Sequence, residues 1–181
     1  MIAILADPAL FAEEFLRCRS ELAAVNFSSH FVVTAKEPEL ARIETELKSR
    51  NTSYQRLPVS FAFHSRWIDE ARTPFVSFMR SIRRKQNRLP MVCCDQTTIV
   101  AELSDGYLWD VVRRPIRFRE TIALLEREGA RRYIDVGPAG TLATFLKYGL
   151  PQTTMSTFHA ILTPYGLDQK NVAAVSAAFA H

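Results

Sequence analysis

Leu57-Pro58-Val59-Ser60-Phe61-Ala62-Phe63-His64-Ser65 joins a period-two pattern to a side chain that moves protons near neutral pH, and the rest of the 181-residue chain is placed from it. Leu57, Val59, Phe61 and Phe63 alternate with Pro58, Ser60, Ala62 and His64. Alternation with aromatic residues on one face predicts a strand running from Tyr54 to Phe63. His64 then ends a face of small side chains, where an imidazole would reach into a cleft as general base. The pattern alone also admits a purely structural histidine.

Ser65 is excluded as its nucleophile, because neighbouring strand residues point to opposite faces. Ser60, on the same face, is too far along the strand for a hydrogen bond. None of the six glycines builds the G-x-S-x-G elbow that carries a hydrolase-type serine. The nucleophile is therefore missing from this sequence.

Upstream, Met1 to Leu5 is a short apolar run, and Leu10, Phe11, Phe15 and Leu16 show helical spacing between Pro8 and Arg19. Glu21 to Asn26 and Phe31 to Ala35 are apolar runs parted by the polar Ser28-Ser29-His30, which predicts a hairpin. Leu40, Ile43 and Leu47 form one stripe of a helix over Glu37 to Ser49. With the strand from Tyr54, the order is β-α-β-β-α-β, the ferredoxin-like arrangement.

Downstream, Trp67 to Arg88 reads as a helix with an early break at Pro74 and a basic end from Arg80 to Arg88. Leu89 to Gln96 reads as a buried strand that points Cys93 and Cys94 to opposite faces. Helices follow at Tyr107 to Val112 and Thr121 to Arg127, then a strand at Arg132 to Val136, a turn at Gly137-Pro138, and a helix at Ala139 to Lys147. A strand near Thr154 to Phe158 and a helix at Asp168 to Phe179 complete the order. The turn at Asp135 to Thr141 suggests a phosphate cradle, but it has the spacing of neither glycine-rich fingerprint, and a tight turn accounts for it.

Hydrophobic residues at 48% and charged residues at 23% exclude a disordered chain, and no apolar run approaches the ~18 residues of a membrane span. Met1 to Leu5 lacks the basic flank of a signal peptide. Cys18, Cys93 and Cys94 form no C-x-x-C pair, so neither a disulfide framework nor a zinc site is expected, and the cytoplasm is the expected compartment. The net charge of +4 rests on 18 arginines and five lysines, which suits an anionic partner. No nucleic-acid motif accompanies them, so nucleic acid is not the expected partner.

The nonapeptide closely resembles the L-P-V-S-H-A-F-H-S segment of malonyl-type acyltransferase domains in polyketide synthases. Ala24-Val25-Asn26-Phe27-Ser28-Ser29-His30-Phe31-Val32-Val33 resembles the same family's A-V-N-S-P-x-x-x-V-V segment. Tyr107-Leu108-Trp109 with Arg114-Pro115-Ile116-Arg117-Phe118 resembles Y-W…R-x-P-V-R-F, and Tyr133-Ile134-Asp135-Val136-Gly137-Pro138 resembles F-x-E-V-G-P. The four segments stand in the family's order and cover nearly the whole chain.

The resemblance implies an α/β (α+β) fold: a ferredoxin-like βαββαβ small subdomain over 1–62, then over 63–181 the C-terminal part of an α/β-hydrolase-like acyltransferase core. It implies His64 as catalytic base, Asn26, Phe61 and Phe63 at the substrate, and the backbone carbonyl of Glu128 as the group that orients the histidine. Phenylalanine at position 63 implies a malonyl rather than a methylmalonyl group. Phe61 departs from the family's histidine and leaves a specialised member open. The implied substrates are malonyl-CoA and a phosphopantetheine-bearing acyl carrier protein, with no metal or redox cofactor. An N-terminal acyltransferase portion would supply the serine. An acyl hydrolase acting on stalled carriers and a non-catalytic carrier-docking module are the alternatives.

Overall fold

The computed structural model describes residues 1–85 and 87–179, and the chain divides into two compact units, Met1–Thr121 and Ile122–His181. The first is built on four strands, β1 (Ile2–Ile4), β2 (Glu21–Phe27), β3 (His30–Thr34) and β4 (Tyr54–Arg56), in the order β2-β3-β1-β4. Every neighbouring pair is antiparallel. A 3-10 turn (Pro8–Ala12) with the short α1 (Glu14–Arg17) fills the first crossover, and α2 (Glu37–Ser49) fills the second. This is the ferredoxin-like order expected from the sequence.

Alternation sorts the sheet's two faces by size. Ile2 pairs with Val33 and Ile4 with Phe31, and these four fully buried side chains pack with Leu16, Leu40, Ile43 and Leu47 beneath the helices. The other face carries the small side chains Ala3, Ala23, Ala24 and Val32, against which Leu57 and Ile116 pack. A bulge between Leu22 and Ala24 is what lets Ala23 and Ala24 share that face.

The strand expected to run to Phe63 stops at Arg56. Leu57 N–H still reaches Met1 O at 3.0 Å, but Val59 N–H then turns back onto Leu57 O at 2.8 Å, closing a three-residue turn around Pro58. Proline has no N–H for a ladder and holds the φ such a turn needs. Alternation therefore survives in the sequence of Leu57 to Phe63 without a strand to express it.

The helix expected over Trp67 to Arg88 is a 3-10 turn (Arg66–Ala71) followed by α3 (Arg72–Ser81). Pro74 sits in the first turn of α3, where a missing N–H costs nothing. The basic run leaves the helix after Ser81; Gln86 within it lies outside the described residues. Instead of one buried strand, the next segment is a hairpin of β5 (Met91–Cys93) and β6 (Thr98–Val100), with Cys93 buried and Cys94 half-buried in the turn. Helix α4 (Tyr107–Arg113) and the start of α5 (Phe118–Arg127) complete this unit.

The second unit contains β7 (Arg132–Asp135), α6 (Thr141–Gly149), β8 (Thr157–Ala160) and α7 (Asp168–Phe179). β7 and β8 are parallel, with α6 in their crossover. Parallel strands are normally covered on both faces, yet Ile134 in mid-strand is 38% exposed and Val136 71%. Among the described residues no helix is long and apolar enough to cross a membrane.

Gly140 has φ +62°, and a Cβ there would stand 2.8 Å from the Cβ of Ala160. Gly140→Ala should therefore lower the stability of the second unit by about 1–3 kcal/mol. Amide exchange along β7 and β8 would read the loss, and unchanged protection there would refute it.

Candidate active site

His64 lies in the first unit with a left-handed backbone, φ +59°, a conformation non-glycine residues adopt only when their surroundings hold them. The C-terminal end of α4 does the holding. His64 N–H donates to Val112 O at 2.9 Å, and its Nδ1 lies 2.8 Å from Arg114 O. Both carbonyls belong to the end of a helix, where carbonyls lack intrahelical partners.

A carbonyl only accepts, so Nδ1 carries the proton and Nε2 carries the lone pair. This is the tautomer a general base requires. Burial pushes the His64 pKa below the ordinary histidine value, and the bond to the Arg114 carbonyl opposes that effect without cancelling it. The imidazole is therefore neutral at neutral pH.

The orienting carbonyl is Arg114's, which corrects the expectation that Glu128 supplies it. Nδ1 has one proton to give, and Arg114 O receives it. The Glu128 side chain is ion-paired with Arg131. Arg114 closes α4 with φ −86° and ψ 154°, extended as a residue before proline must be, which turns its carbonyl off the helix path. The Arg114-Pro115 step was legible in the sequence; its meeting with His64, fifty positions away, was not.

Ser65 is fully buried, donates its hydroxyl to Ala62 O at 2.6 Å, and caps the following 3-10 turn by accepting from Trp67 N–H at 3.3 Å. It is a helix cap, which removes it as a nucleophile on a ground other than the strand geometry expected there. The Arg66 N–H and side chain bind Glu21, while Arg113 binds Asp69 at 2.6 Å and 3.3 Å. These contacts tie the residues after His64 to β2 and to α4.

Phe61 and Phe63 meet edge to face with centroids 6.0 Å apart, so the irregular segment still presents both rings together. Phe61 is 67% exposed and Phe63 37%. Asn26 is buried at the end of β2, and its side-chain nitrogen lies 2.9 Å from His30 Nδ1 across the hairpin turn.

In the second unit, the turn after β7 is filled from within. One oxygen of Asp135 accepts from Gly137 N–H at 2.8 Å, and the other accepts from Leu142 and Ala143 N–H at 2.8 Å and 3.0 Å. A carboxylate already occupies the start of α6, so the turn is structural and not an anion cradle. Glu126 similarly gathers the hydroxyls of Tyr133, Thr154 and Ser156.

No family model matches the chain. It is 36% identical over 173 residues to the polyketide biosynthesis acyltransferase homolog BaeD of Bacillus velezensis, a match covering 95% of this chain and 53% of that protein. The chain spans about half the length of the first curated relatives it matches. In fold it is similar to the acyltransferase domain from the second module of the salinomycin polyketide synthase, with TM-score 0.80 at 23% identity, over 96% of this chain and 41% of that one. It is also similar in fold to the malonyl-CoA:acyl carrier protein transacylase of Xanthomonas oryzae, with TM-score 0.81 at 18% identity, over 99% of this chain and 58% of that one.

The depressed pKa of His64 has a consequence for stability. Between the folded value and about 6.5 the unfolded chain binds more protons than the folded one, so the contribution is complete above that window and is lost as pH falls through it. His64→Asn keeps a residue tolerant of left-handed backbone while removing the titration. The stability gap between wild type and His64→Asn, measured by denaturant midpoints, should narrow on acidification through that window. A gap independent of pH would contradict the assignment.

Proposed function

Since the chain belongs to the acyltransferase family of polyketide biosynthesis, we propose that it is the histidine-bearing part of an enzyme that moves a malonyl group from CoA to an acyl carrier protein. The observation that carries this reading is the Nδ1–H bond of His64 to Arg114 O, which leaves Nε2 as a neutral base. The nucleophilic serine is to come from an N-terminal acyltransferase portion.

In the first half-reaction Nε2 takes the serine proton as the oxygen attacks the malonyl thioester carbonyl. The tetrahedral intermediate then collapses, the C–S bond breaks, and the imidazolium returns the proton to the departing CoA thiolate. In the second half-reaction Nε2 deprotonates the carrier's phosphopantetheine thiol, whose sulfur attacks the serine ester. The proton goes back to the serine oxygen as that bond breaks. Positive charge accumulates on His64 only transiently, beside the C-terminal end of α4, where a cation is favoured. No step calls for a metal or redox cofactor.

Phe63, with Phe61 against its edge, is the side chain proposed to meet the acyl α-carbon and to exclude a methyl there by overlap. Such a pocket discriminates by about 1–3 kcal/mol. Within this reading, 1–62 is the small subdomain, 63–181 is part of the larger core, and the protein works in the cytoplasm. The exposed Ile134 and Val136 beside a two-stranded parallel sheet support a core that other strands complete. Amide exchange of the chain alone should show stronger protection in β1–β4 than in β7 and β8. Equal protection would argue against an incomplete core.

The chain alone should form no malonyl ester on incubation with malonyl-CoA, read by intact-protein mass spectrometry. Combined with a serine-bearing N-terminal portion, it should transfer malonyl to carrier protein, and His64→Ala should lower the rate ~10²- to 10⁴-fold or more. Phe63→Ser should relax the preference for malonyl over methylmalonyl. A malonyl adduct on the isolated chain would overturn the reading, and release of free malonate in place of transfer would make the protein a hydrolase.

A further inference from the structure

Beneath the Arg114 carbonyl lies a group that the acyl-transfer scheme does not use. Asp95, in the turn between β5 and β6, has a side chain only 3% exposed. Its Oδ1 accepts the thiol proton of Cys93, and the Tyr107 hydroxyl lies 3.3 Å from the same sulfur. Its Oδ2 is buried with no hydrogen-bond partner and faces the Arg114 guanidinium, with Nη1 at 3.5 Å. A buried carboxylate oxygen left without a hydrogen bond is unfavourable, so its aim at one particular cation calls for an account.

The residues around it supply one. The same turn that carries Asp95 also holds the backbone beyond Arg114, because Cys94 O accepts from Arg117 N–H at 2.9 Å. On the opposite side Ile116 is bonded to β2, accepting from Val25 N–H at 2.9 Å and donating to Ala23 O at 2.8 Å. Ile116 and Arg117 are thereby pinned on opposite sides. Arg114 itself has one backbone bond to its own helix, N–H to Asp110 O at 2.8 Å, and its carbonyl is the acceptor for His64. Its side chain is the remaining handle on that peptide plane, and Asp95 and Asp110, each 3.5 Å away, grip it from two directions.

We propose that Asp95 is a positioning residue for His64: through the Arg114 guanidinium it fixes the plane of the Arg114 carbonyl that holds the imidazole with its proton on Nδ1. Cys93 and Tyr107 keep the carboxylate turned so that Oδ2 faces the arginine. The β5–β6 hairpin thus serves the base through Arg114. This rests on the reading of His64 as the proton-transfer group, but its test does not require turnover.

The test is imidazole ¹⁵N spectroscopy of the full chain, which distinguishes the Nδ1–H from the Nε2–H tautomer. Asp95→Asn keeps the shape and removes the charge; Arg114→Met keeps the carbonyl and removes the guanidinium. Each should lower the ratio of Nδ1–H to Nε2–H tautomer at His64 at least threefold, with exchange protection of the Ile116 and Arg117 amides retained. The double variant should lie no lower than either single one, as expected when both act on one interaction. An unchanged ratio in both variants overturns the proposal. So does a shift that appears only with lost protection at Ile116 and Arg117, because Asp95 would then be merely holding the hairpin together. Should Asp95→Asn fail to fold, Arg114→Met alone decides. Failure of acyl transfer in a reconstituted enzyme would leave the tautomer ratio where it is, so the two readings fail separately.

Discussion

The hydrogen bond from His64 Nδ1 to Arg114 O is the constraint on which the useful part of this molecule depends. It joins the end of the irregular segment that follows the ferredoxin-like sheet to the end of a helix fifty positions later. It also requires His64 to take a backbone conformation that its own side chain disfavours. That strain is tolerated because the N–H of the same residue is satisfied by Val112 O. Much of the surrounding structure serves to keep this helix end still: Arg113 on Asp69, Ile116 on β2, Arg117 on the hairpin turn.

The ferredoxin-like sheet is the frame for this arrangement and not only a neighbour of it. Its edge strand β2 would present unpaired backbone to solvent at Ala23 and Val25, and the segment at Ile116 occupies those groups. The bulge that brings Ala23 and Ala24 onto one face makes that face shallow, so Ile116 and Leu57 pack close against it. Both of these side chains lie within a few residues of the bonded pair, Leu57 before His64 and Ile116 after Arg114. Small alanines in β2 are therefore part of what sets the distance between His64 and the Arg114 carbonyl.

The first fifty-six residues were legible because their apolar periods are long and their turns polar; the strand order followed from the element order alone. α2 fell where its apolar stripe put it, and α7 spans the expected Asp168 to Phe179. Leu57 to Phe63 alternates without forming a strand, since alternation reports which side chains are to be presented together, and two rings can meet edge to face from an irregular segment as from a strand. Pro58 carried the contrary signal. The β6 strand was missed although Thr98-Ile99-Val100 is β-branched throughout, because three residues are too short to stand out. His64 was legible as a candidate from its chemistry. Its orienting partner was not, because a backbone carbonyl has no residue type: any amino acid at position 114 offers the same oxygen, and only the fold shows where it points.

With His64 as the proposed base, a carbonyl in this role, in place of the aspartate of a Ser-His-Asp triad, changes the chemistry asked of it. A carboxylate favours the imidazolium by charge and raises the histidine pKa, whereas a neutral carbonyl favours it only by a hydrogen bond. With burial acting the other way, His64 is left a weaker base than a carboxylate-paired histidine and a correspondingly stronger acid once protonated. In the proposed acyl transfer that balance suits the two sulfur-bearing partners, since a thiol with a pKa near 8.5 leaves and attacks as thiolate far more readily than an amine does. In the proposed scheme the proton transfers to and from sulfur then need little driving force, and a base that stays neutral is ready for both half-reactions. The orienting group is also one that cannot titrate, so the neutral fraction of His64 keeps its proton on Nδ1 at every pH at which it is present.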